Sequence, residues 1–379
     1  MAQLYDSSGP DVVEAHADRT TLTRSDGTVV RADDFRWLFA FASDDGATDT
    51  ARLYDTTAHQ GTSYATWFKG FNELSKMYGA TFYNRVDGFD EVIASVAGGD
   101  DIAKLFDSPG PDELETFADR ATMSYADGTA VQADDFRWVL AYGSDDGQVD
   151  TARFHDTTAD LETSYATWFK ADNTISRMYC EPVFYVHAKG FDGVMASAVG
   201  TDDTAKLFDS ALDDVYWSRP DHSRMEYADG TYAEALDFRY VLSYSRNGSD
   251  TATFYDEMSG GTSYAARFVA NADWAKLFDA AFFSRTGGFT EVRVALGGDD
   301  DRAWLYDDPA RVDHLVVPFP GDGDHDPAKA IFFNGQREIY VDDFLLLAVF
   351  TSEHYVDDES VDPAYSDEVF LYGYWGEAP

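Results

Sequence analysis

The sequence predicts an all-β fold, a right-handed parallel β-helix in which short strands stack coil upon coil. The first observation is a five-residue motif, Ala-x-(Leu or Phe)-aromatic-Asp, seen as "AKLFD" at residues 103–107 and again at 205–209. Its recurrences, in one of which His replaces the aromatic residue, begin at Ala2, Ala51, Ala103, Ala152, Ala205, Ala252 and Ala303. A nearly fixed period close to 50 residues is typical of stacked supersecondary units.

The second observation is a spacing of two between small or aliphatic residues at the end of each repeat. Phe89, for example, is followed by Val92, Ala94 and Val96. This is the period of a strand with one buried face. Within the pentad, the same alternation turns the Ala and Leu side chains inward and the second and fourth side chains outward. Clusters of Gly, Asp and Pro between these stretches predict turns.

The repeats alternate in type, so that the larger period is about 100 residues. Each repeat also contains an inner echo of the pentad, such as "SKMYG" from Ser75, which predicts a division into two coils of about 25 residues. We expect one solenoid domain over residues 1–350 and a C-terminal cap over 351–379. Since the first pentad follows Met1 directly, we also expect a segment of a longer or processed protein. Its uncapped N-terminal coil would favour end-to-end self-association.

Charge and composition limit the classes of function. The net charge is -42, most acidic residues are Asp, and 44% of the chain is hydrophobic. A chain this apolar can bury a core, and an Asp-rich surface suits a halophilic protein, because molar salt screens its self-repulsion. The charge argues against nucleic acid and anionic membranes as partners. No apolar run is long enough for membrane insertion, and the single Cys180 excludes an internal disulfide framework.

Two stretches carry a resemblance to a known family: "YGATFYNRVDGFDEVIASVAGGDDIAKLFDS" (78–108), and "LFDSALDDVYWS" with "YAEALDF" (207–238). Over about residues 2–308 the chain resembles a repeat family of large secreted or cell-surface β-solenoid proteins built from A-x-L-Y-D-S-x-G-D-D units. The resemblance implies an extracellular location, near adhesion or calcium-binding modules, and no assigned catalytic residue. The chain departs from that pattern where "DTT" follows the pentad aromatic position, at 55–57 and 156–158. A cytoplasmic location stays open, because the absence of a signal segment is weak evidence.

Recurrent carboxylates are the candidate metal ligands. Stacked carboxylates in Gly-rich turns would hold Ca²⁺, which takes six to eight oxygen ligands. Alternatively, each Asp caps its own turn by accepting backbone N–H groups. Acidic clusters also close the repeats, such as 44–49 and 145–150. These clusters are either calcium ligands or solvated loops. Calcium is the only cofactor the sequence suggests, and none is required. The candidate ligands, which end the pentads or lie in "DGDHDP", are Asp6, Asp55, Asp107, Asp156, Asp209, Asp256, Asp307, Asp322, Asp324 and Asp326.

An outward column of basic and aromatic residues is the candidate partner surface. Aromatic faces beside cations suit an acidic polysaccharide or a cell-surface protein, and the alternative is a cation–π and salt-bridge ladder that holds the coils together. The residues proposed for this surface are Arg52, Lys104, Arg153, Lys206, Tyr54, Phe106 and Phe208.

The sequence favours a non-enzymatic structural or adhesive module of a halophile's cell-surface or secreted protein. Enzyme chemistry needs singular residues, and here nearly every polar candidate is repeated; His155, which replaces a pentad aromatic residue, is the exception. Two alternatives remain. One is a β-helix polysaccharide lyase or hydrolase, which would place two or three carboxylates on one sheet face. The other is a viral tail fibre or tailspike.

Overall fold

The computed structural model describes residues 1–58, 63–200, 202–262, 264–271, 273–296 and 301–306, together with the strands β32–β37 between residues 313 and 372. Strands are the only regular secondary structure in these residues, and parallel strands stack into a β-solenoid of about eight turns. The predicted all-β solenoid is therefore confirmed.

The chain divides into two compact units, here called lobes. Lobe 1 comprises Met1–Trp168 and Thr174–Val199, and lobe 2 comprises Phe169–Asn173 and Gly200–Pro379. Strand β17 spans Trp168–Ala171. Its first residue, Trp168, belongs to lobe 1, and its other three residues belong to lobe 2. The other strands of lobe 1 are β1 Ala2–Tyr5, β2 Val12–Ala15, β3 Arg19–Thr23, β4 Val29–Asp33, β5 Trp37–Phe41, β6 Thr50–Tyr54, β7 Trp67–Gly70, β8 Leu74–Tyr78, β9 Tyr83–Asp87, β10 Glu91–Ser95, β11 Ile102–Phe106, β12 Glu113–Thr116, β13 Arg120–Ser124, β14 Ala130–Asp134, β15 Trp138–Tyr142, β16 Thr151–His155, β18 Ile175–Cys180, β19 Phe184–Lys189 and β20 Gly193–Ser197.

Lobe 2 continues the same pattern of short strands. Its strands are β21 Thr204–Phe208, β22 Val215–Ser218, β23 His222–Glu226, β24 Tyr232–Leu236, β25 Tyr240–Tyr244, β26 Thr251–Tyr255, β27 Arg267–Ala270, β28 Trp274–Phe278, β29 Phe283–Gly287, β30 Glu291–Ala295, β31 Arg302–Tyr306, β32 Asp313–Val316, β33 Lys329–Asn334, β34 Arg337–Asp342, β35 Leu346–Phe350, β36 Asp358–Ser360 and β37 Val369–Tyr372.

In each lobe the strands form two sheets, called A and B. In lobe 1, sheet A has the order β1-β5-β9-β8-β7-β11-β15-β19-β18. Sheet B has the order β4-β3-β2-β6-β10-β14-β13-β12-β16-β20. The same two patterns recur in lobe 2. Each 50-residue repeat is therefore more than a simple coil, because its second, third and fourth strands form an antiparallel meander in one sheet.

Each repeat contributes five strands, the first and fifth to one sheet and the central three to the other. The chain consequently crosses between the sheets three times per repeat, an odd number. A pentad in sheet A is therefore followed by one in sheet B. This exchange is the physical basis of the alternation of repeat types and of the period of about 100 residues.

The core contains the inward side chains predicted from the sequence. Ala51, Leu53, Ala103 and Leu105 are fully buried, whereas the residues between them point outward. Stacked parallel strands place like residues above one another about 4.8 Å apart, so that every coil needs the same small and branched shapes. One exception lies in the first repeat, where the closing Phe35 is 43% exposed.

In the first six repeats, whose closing turns the structure describes, the residue before the closing Phe has a left-handed backbone. It is Asp in odd repeats (Asp34, φ 58°) and Gly in even repeats (Gly288, φ +86°). A Cβ atom on Gly288 would lie 2.0 Å from the carbonyl oxygen of Ser245. The backbones of the two residues approach so closely that only glycine fits, whereas the Asp positions of odd repeats tolerate a side chain.

Two described strands fall within residues 351–379, for which the sequence predicts a cap. Strand β36 pairs in parallel with β32, and β37 pairs in parallel with β35. These segments therefore extend the ladders of the preceding repeat. Among the described residues no helix has the length and apolar character needed to cross a membrane.

Candidate functional site

The outward residues proposed as one partner surface lie on two different sheets. Because successive pentads alternate between the sheets, Arg52, Tyr54 and Arg153 lie on sheet B, on strands β6 and β16. Lys104 and Phe106 lie on sheet A of lobe 1, on β11, and Lys206 and Phe208 on sheet A of lobe 2, on β21. The expectation of a single column of these seven residues was wrong, since the inward–outward period does not reveal which sheet a strand joins.

On sheet B the outward basic residues have acidic neighbours. Arg153 forms an ion pair with Glu113 at 2.5 Å. Arg52 is exposed and lies opposite Glu14 in register. The ring of Tyr54 stacks on His16, with centroids 4.6 Å apart. This face therefore agrees with the structural alternative, a ladder of salt bridges and stacked rings.

Sheet A of lobe 1 carries a continuous row of four cations, here called the cation ladder. It runs across the adjacent strands β9, β8, β7 and β11. In register, Arg85 lies opposite Lys76, Lys76 opposite Lys69, and Lys69 opposite Lys104. Sequence analysis identified Lys104 here, but Lys69 and Arg85 belong to the antiparallel meander, whose strand order the sequence does not reveal.

The cation ladder is only partly neutralised. Arg85 pairs with Asp87 at 3.0 Å. Lys69, Lys76 and Lys104 are half-exposed and make no ion pair within the described residues. Two like charges about 5 Å apart repel by about 1 kcal/mol even in bulk water. Directly opposed like charges destabilise a sheet. The ladder therefore lowers stability unless an anion lies over it.

A row of aromatic rings runs beside the cation ladder. Trp37 lies 4.9 Å from Tyr83, Tyr83 lies 6.0 Å from Tyr78, and Tyr78 lies 5.9 Å from Trp67, all measured between ring centroids. Trp37 is 45% and Trp67 43% exposed, so ring faces are open to solvent. Cations in register beside exposed rings are the groups that bind acidic sugars, through ion pairs and ring stacking.

The bias of lysines toward sheet A extends beyond the ladder. Of the eight lysines, seven lie on strands of sheet A and Lys329 lies on sheet B. In lobe 2, Val269 and Trp304 take the places of Lys69 and Lys104. There Lys276 lies 4.8 Å from the ring centroid of Phe278 and Arg285 5.3 Å from that of Trp274. Lys276 and Arg285, the counterparts of Lys76 and Arg85, are thus stacked on aromatic rings, as the structural alternative predicts.

The pentad aspartates connect neighbouring strands of the same sheet. Asp6 follows β1, and its Oδ2 accepts the backbone N–H of Ser43, which follows β5, at 2.6 Å. Asp107 accepts the N–H of Ser144 in the same way at 2.5 Å, and Asp55 accepts that of Ala97 at 3.0 Å. The aspartates cap turns, as one alternative predicts, but the turn belongs to the adjacent coil. This contact accounts for the repetition of the pentad Asp.

Two groups of three carboxylates form where turns of odd repeats meet. They are here called cluster 1 (Asp6, Asp11 and Asp49) and cluster 2 (Asp107, Asp112 and Asp150). In each, one oxygen from every carboxylate lies within 4.8 Å of the others. The predicted ligands Asp6 and Asp107 are half-buried members, whereas the other four residues are buried. Sequence analysis missed Asp11 and Asp112 because they lie in the following turn, outside the repeated motif.

Each cluster contains a carboxyl group with a perturbed pKa. Burial, the largest cause, together with repulsion from Asp6 and Asp11 raises the pKa of Asp49 to about 6, although the hydrogen bond from the Asp11 N–H group acts in the opposite direction. In cluster 2, burial raises the pKa of Asp150 to about 7. Like charges close together in a poorly solvated place favour a bound proton or a bound cation.

Even repeats contain a pair of buried carboxylates instead. Asp55 and Asp101 are each 1% exposed. Asp101 accepts the N–H of Thr66 at 2.6 Å. Burial raises the pKa of Asp101 to about 6, and repulsion from Asp55 and Asp100 acts in the same direction.

Within the described residues, the remaining predicted metal ligands do not bring three carboxylate oxygens within 4.8 Å of one another. Asp156 and Asp256 end sheet B pentads, as Asp55 does, and Asp209 belongs to a third set of aspartates considered below. The last four lie outside the described residues; they are Asp307, Asp322, Asp324 and Asp326.

His155 lies on the outer face of sheet B in a chain of polar contacts. Its Nδ1 is 2.8 Å from the Ser197 hydroxyl, its Nε2 is 3.4 Å from Glu115, and its ring stacks on Phe117 at 4.6 Å. Burial lowers its pKa, although Glu115 acts in the opposite direction. The three polar residues come from the adjacent strands β12, β16 and β20, as in the other cross-strand ladders of this face.

Comparison with known proteins assigns no function to the chain. No protein family and no curated protein matches the chain.

Proposed function

We propose that the protein is a non-enzymatic structural and adhesive module whose sheet A binds an acidic polysaccharide. The observation that supports this most directly is the cation ladder of Arg85, Lys76, Lys69 and Lys104. In a chain with 70 acidic and 28 basic residues, four adjacent cations are costly unless a polyanion offsets their repulsion. Adjacent strands lie about 4.8 Å apart, so the ladder offers positive charge over roughly 14 Å.

The aromatic row favours a carbohydrate over other polyanions. Sugar rings present C–H faces that pack on exposed rings such as Trp37 and Trp67, while their carboxylates reach the neighbouring lysines. A polyuronate carries one carboxylate per sugar, so it meets less repulsion from this acidic chain than nucleic acid, which carries one charge per roughly 1.7 Å of duplex.

The proposal includes a location at the cell surface or in the secreted protein of a halophile. Asp-rich acidity supports this, because a charge of -42 is tolerated best in concentrated salt. The resemblance of 78–108 and 207–238 to repeats of secreted solenoid proteins points the same way. In molar salt the ion pairs are screened, and stacking on the aromatic row then carries more of the binding.

The repeated construction supports a structural role over catalysis. Inward positions that are polar, such as Ser75, Asn84 and Tyr216, are buried beyond the reach of a substrate. The polar contacts of His155 lie on the opposite sheet from the cation ladder. We therefore expect the variant His155→Ala to bind polysaccharide as the wild type does.

The test is a binding measurement with the triple variant Lys69→Gln/Lys76→Gln/Lys104→Gln. We expect its affinity for polygalacturonate to fall by tenfold or more, the loss of at least about 1.4 kcal/mol of binding free energy. Calorimetry at about 0.2 M salt, where exposed ion pairs are only partly screened, provides the measurement. Matched controls are Arg153→Gln on sheet B and Lys276→Gln in lobe 2, where the lysine lies over Phe278.

Three results would contradict the proposal: unchanged affinity in the triple variant, equal binding of uncharged dextran, or tighter binding of duplex DNA than of polygalacturonate. A circular dichroism spectrum and thermal midpoint close to those of the wild type would show that the triple variant is folded.

A further inference from the structure

Clusters 1 and 2 each contain a buried carboxylate oxygen that lacks a donor. Asp49 and Asp150 are 0% exposed, and their Oδ1 atoms accept the N–H groups of Asp11 and Asp112, at 2.7 and 2.9 Å. Within the described part of the chain, their Oδ2 atoms accept no hydrogen bond. A buried carboxylate oxygen without a partner is strongly unfavourable, so such atoms point to a missing ligand.

The other carboxylates of cluster 1 hold the site in place. Asp11 accepts the N–H of Ser25 at 2.6 Å through Oδ1 and that of Ser7 through Oδ2. Asp6 accepts the N–H and hydroxyl groups of Ser43 through Oδ2, and its Oδ1 accepts no hydrogen bond from the residues that the structure describes. Three carboxylates are thus fixed by backbone donors, and one oxygen of each lies within 4.8 Å of the other two.

A third, equivalent set of three aspartates lies in lobe 2, and there a serine hydroxyl donates to the buried carboxylate oxygen. It consists of Asp209, Asp214 and Asp250, and Asp250 Oδ1 likewise accepts the N–H of Asp214, at 2.6 Å. Here Ser245 replaces the residue that is Ala42 in cluster 1 and Gly143 in cluster 2. The Ser245 hydroxyl donates to Asp250 Oδ2 at 2.5 Å. This set therefore has its own internal donor.

The charged groups that raise the pKa of the central carboxyl in each cluster are other carboxylates. Those that perturb Asp49 are Asp6, Asp11 and Asp45, and those that perturb Asp150 are Asp107, Asp112 and Asp146. Three convergent carboxylates favour a bound cation or proton. In cluster 1 a basic group also lies near, since the Arg24 guanidinium donates to the carbonyl of Tyr5, the residue before Asp6, at 3.0 Å. The half-buried Asp6 and Asp107 leave each cluster open to ions from solvent.

We propose that clusters 1 and 2 are two calcium sites and that the third set is not. Ca²⁺ binds oxygen ligands at about 2.3–2.6 Å, so ligand atoms on opposite sides of the ion lie about 5 Å apart. The 4.8 Å limit on the oxygen separations in each cluster meets this requirement. One oxygen from each carboxylate supplies three ligands, and water on the side of Asp6 or Asp107 supplies the rest of the shell. These sites are independent of the polysaccharide surface, because they lie in turns and share no residue with the cation ladder.

The experiment uses the whole chain after chelator treatment, titrated with Ca²⁺ at pH 8 by calorimetry. We expect Asp49→Asn to reduce the calcium stoichiometry by one site, and Asp49→Asn/Asp150→Asn to reduce it by two. Asn keeps the oxygen that accepts the Asp11 N–H group, so the turn retains that contact. The matched control Asp250→Asn should leave the stoichiometry unchanged.

A second variant tests the same site without removing a carboxylate. Ala42→Ser introduces the hydroxyl that Ser245 provides in the third set, and we expect it to remove the site in cluster 1 alone. Calcium should also raise the thermal midpoint of the wild type by a few degrees, and this gain should shrink in the double variant.

An unchanged stoichiometry in the double variant would overturn the proposal. So would a chelator-treated wild type whose thermal midpoint depends on pH but is insensitive to calcium at pH 8, because a proton would then neutralise the clusters. If Asp49→Asn failed to fold, an unchanged stoichiometry in Ala42→Ser would overturn the assignment of cluster 1.

Discussion

Replacing Gly288 with alanine is expected to lower the free energy of unfolding by about 3 to 5 kcal/mol. The left-handed φ of +86° accounts for about 1 kcal/mol of this, because an L side chain is strained there. The larger part comes from the 2.0 Å approach between the new Cβ and the Ser245 carbonyl oxygen. To relieve that contact the two backbones must separate, which weakens the hydrogen bond from Ser245 N–H to the Gly287 carbonyl, 2.8 Å long in the wild type.

Urea denaturation of Gly288→Ala and Gly230→Ala provides the measurement. Gly230 lies in the same lobe with a φ of +93°, but a Cβ atom there meets nothing within 4 Å. The free energy of unfolding of Gly230→Ala should therefore fall only by the cost of an L residue at positive φ, about 1 kcal/mol. Equal losses in the two variants would show that the close approach contributes nothing to stability.

Replacing Asp101 with asparagine is expected to stabilise the protein at pH 8 and to have little effect at pH 4. The pKa of Asp101 is raised from 3.8 to about 6 in the folded chain. Between these two values the folded state keeps a proton that the unfolded state has lost, so the free energy of unfolding falls as the pH rises. A shift of this size corresponds to about 3 kcal/mol. Asparagine removes that dependence and retains the oxygen that accepts the Thr66 N–H group.

The measurement is the thermal midpoint of Asp101→Asn relative to wild type from pH 4 to pH 8, at constant ionic strength and with chelator present. The difference should grow with pH and level off above about pH 7. Asp145→Asn, a change at an exposed turn residue, should show no such growth. A difference that is constant with pH would mean that Asp101 titrates normally in the folded chain.

The strands and their buried faces could be predicted from the sequence, because the period of two sets which side chain points inward. Ala51, Leu53, Ala103 and Leu105 are buried as predicted. Strand direction could not be predicted in the same way, since a period of two is identical in both directions. The echo at "SKMYG" is consequently the antiparallel strand β8 and not a further coil.

One signal for the meander is present in the sequence. "ADGT" at 126–129 places Asp-Gly between two alternating stretches, which is typical of a β-hairpin. In the structure this turn joins β13 and β14, and the N–H of Tyr125 donates to the carbonyl of Thr129 at 3.0 Å. We predict only a turn at these residues from the sequence, whereas in the structure the strand after the turn runs antiparallel to the strand before it.

The candidate sites could not be predicted from the sequence, because their residues are distant along the chain and become neighbours only through strand pairing. Asp6 and Asp49 were both identified as acidic positions, but in separate clusters. Their meeting follows from the pairing of β1 with β5, which brings the turns after the two strands together. The cation ladder is a similar case, because Lys69 and Lys104 become neighbours only through the pairing of β7 with β11.

The three crossings per repeat impose a parity rule on how such a chain can change in length. Deleting one 50-residue repeat would transfer every downstream lysine from its present sheet to the other sheet. Deleting or duplicating two repeats together restores the original assignment. Changes in the length of this protein that keep every lysine in its original sheet are therefore expected in steps of about 100 residues.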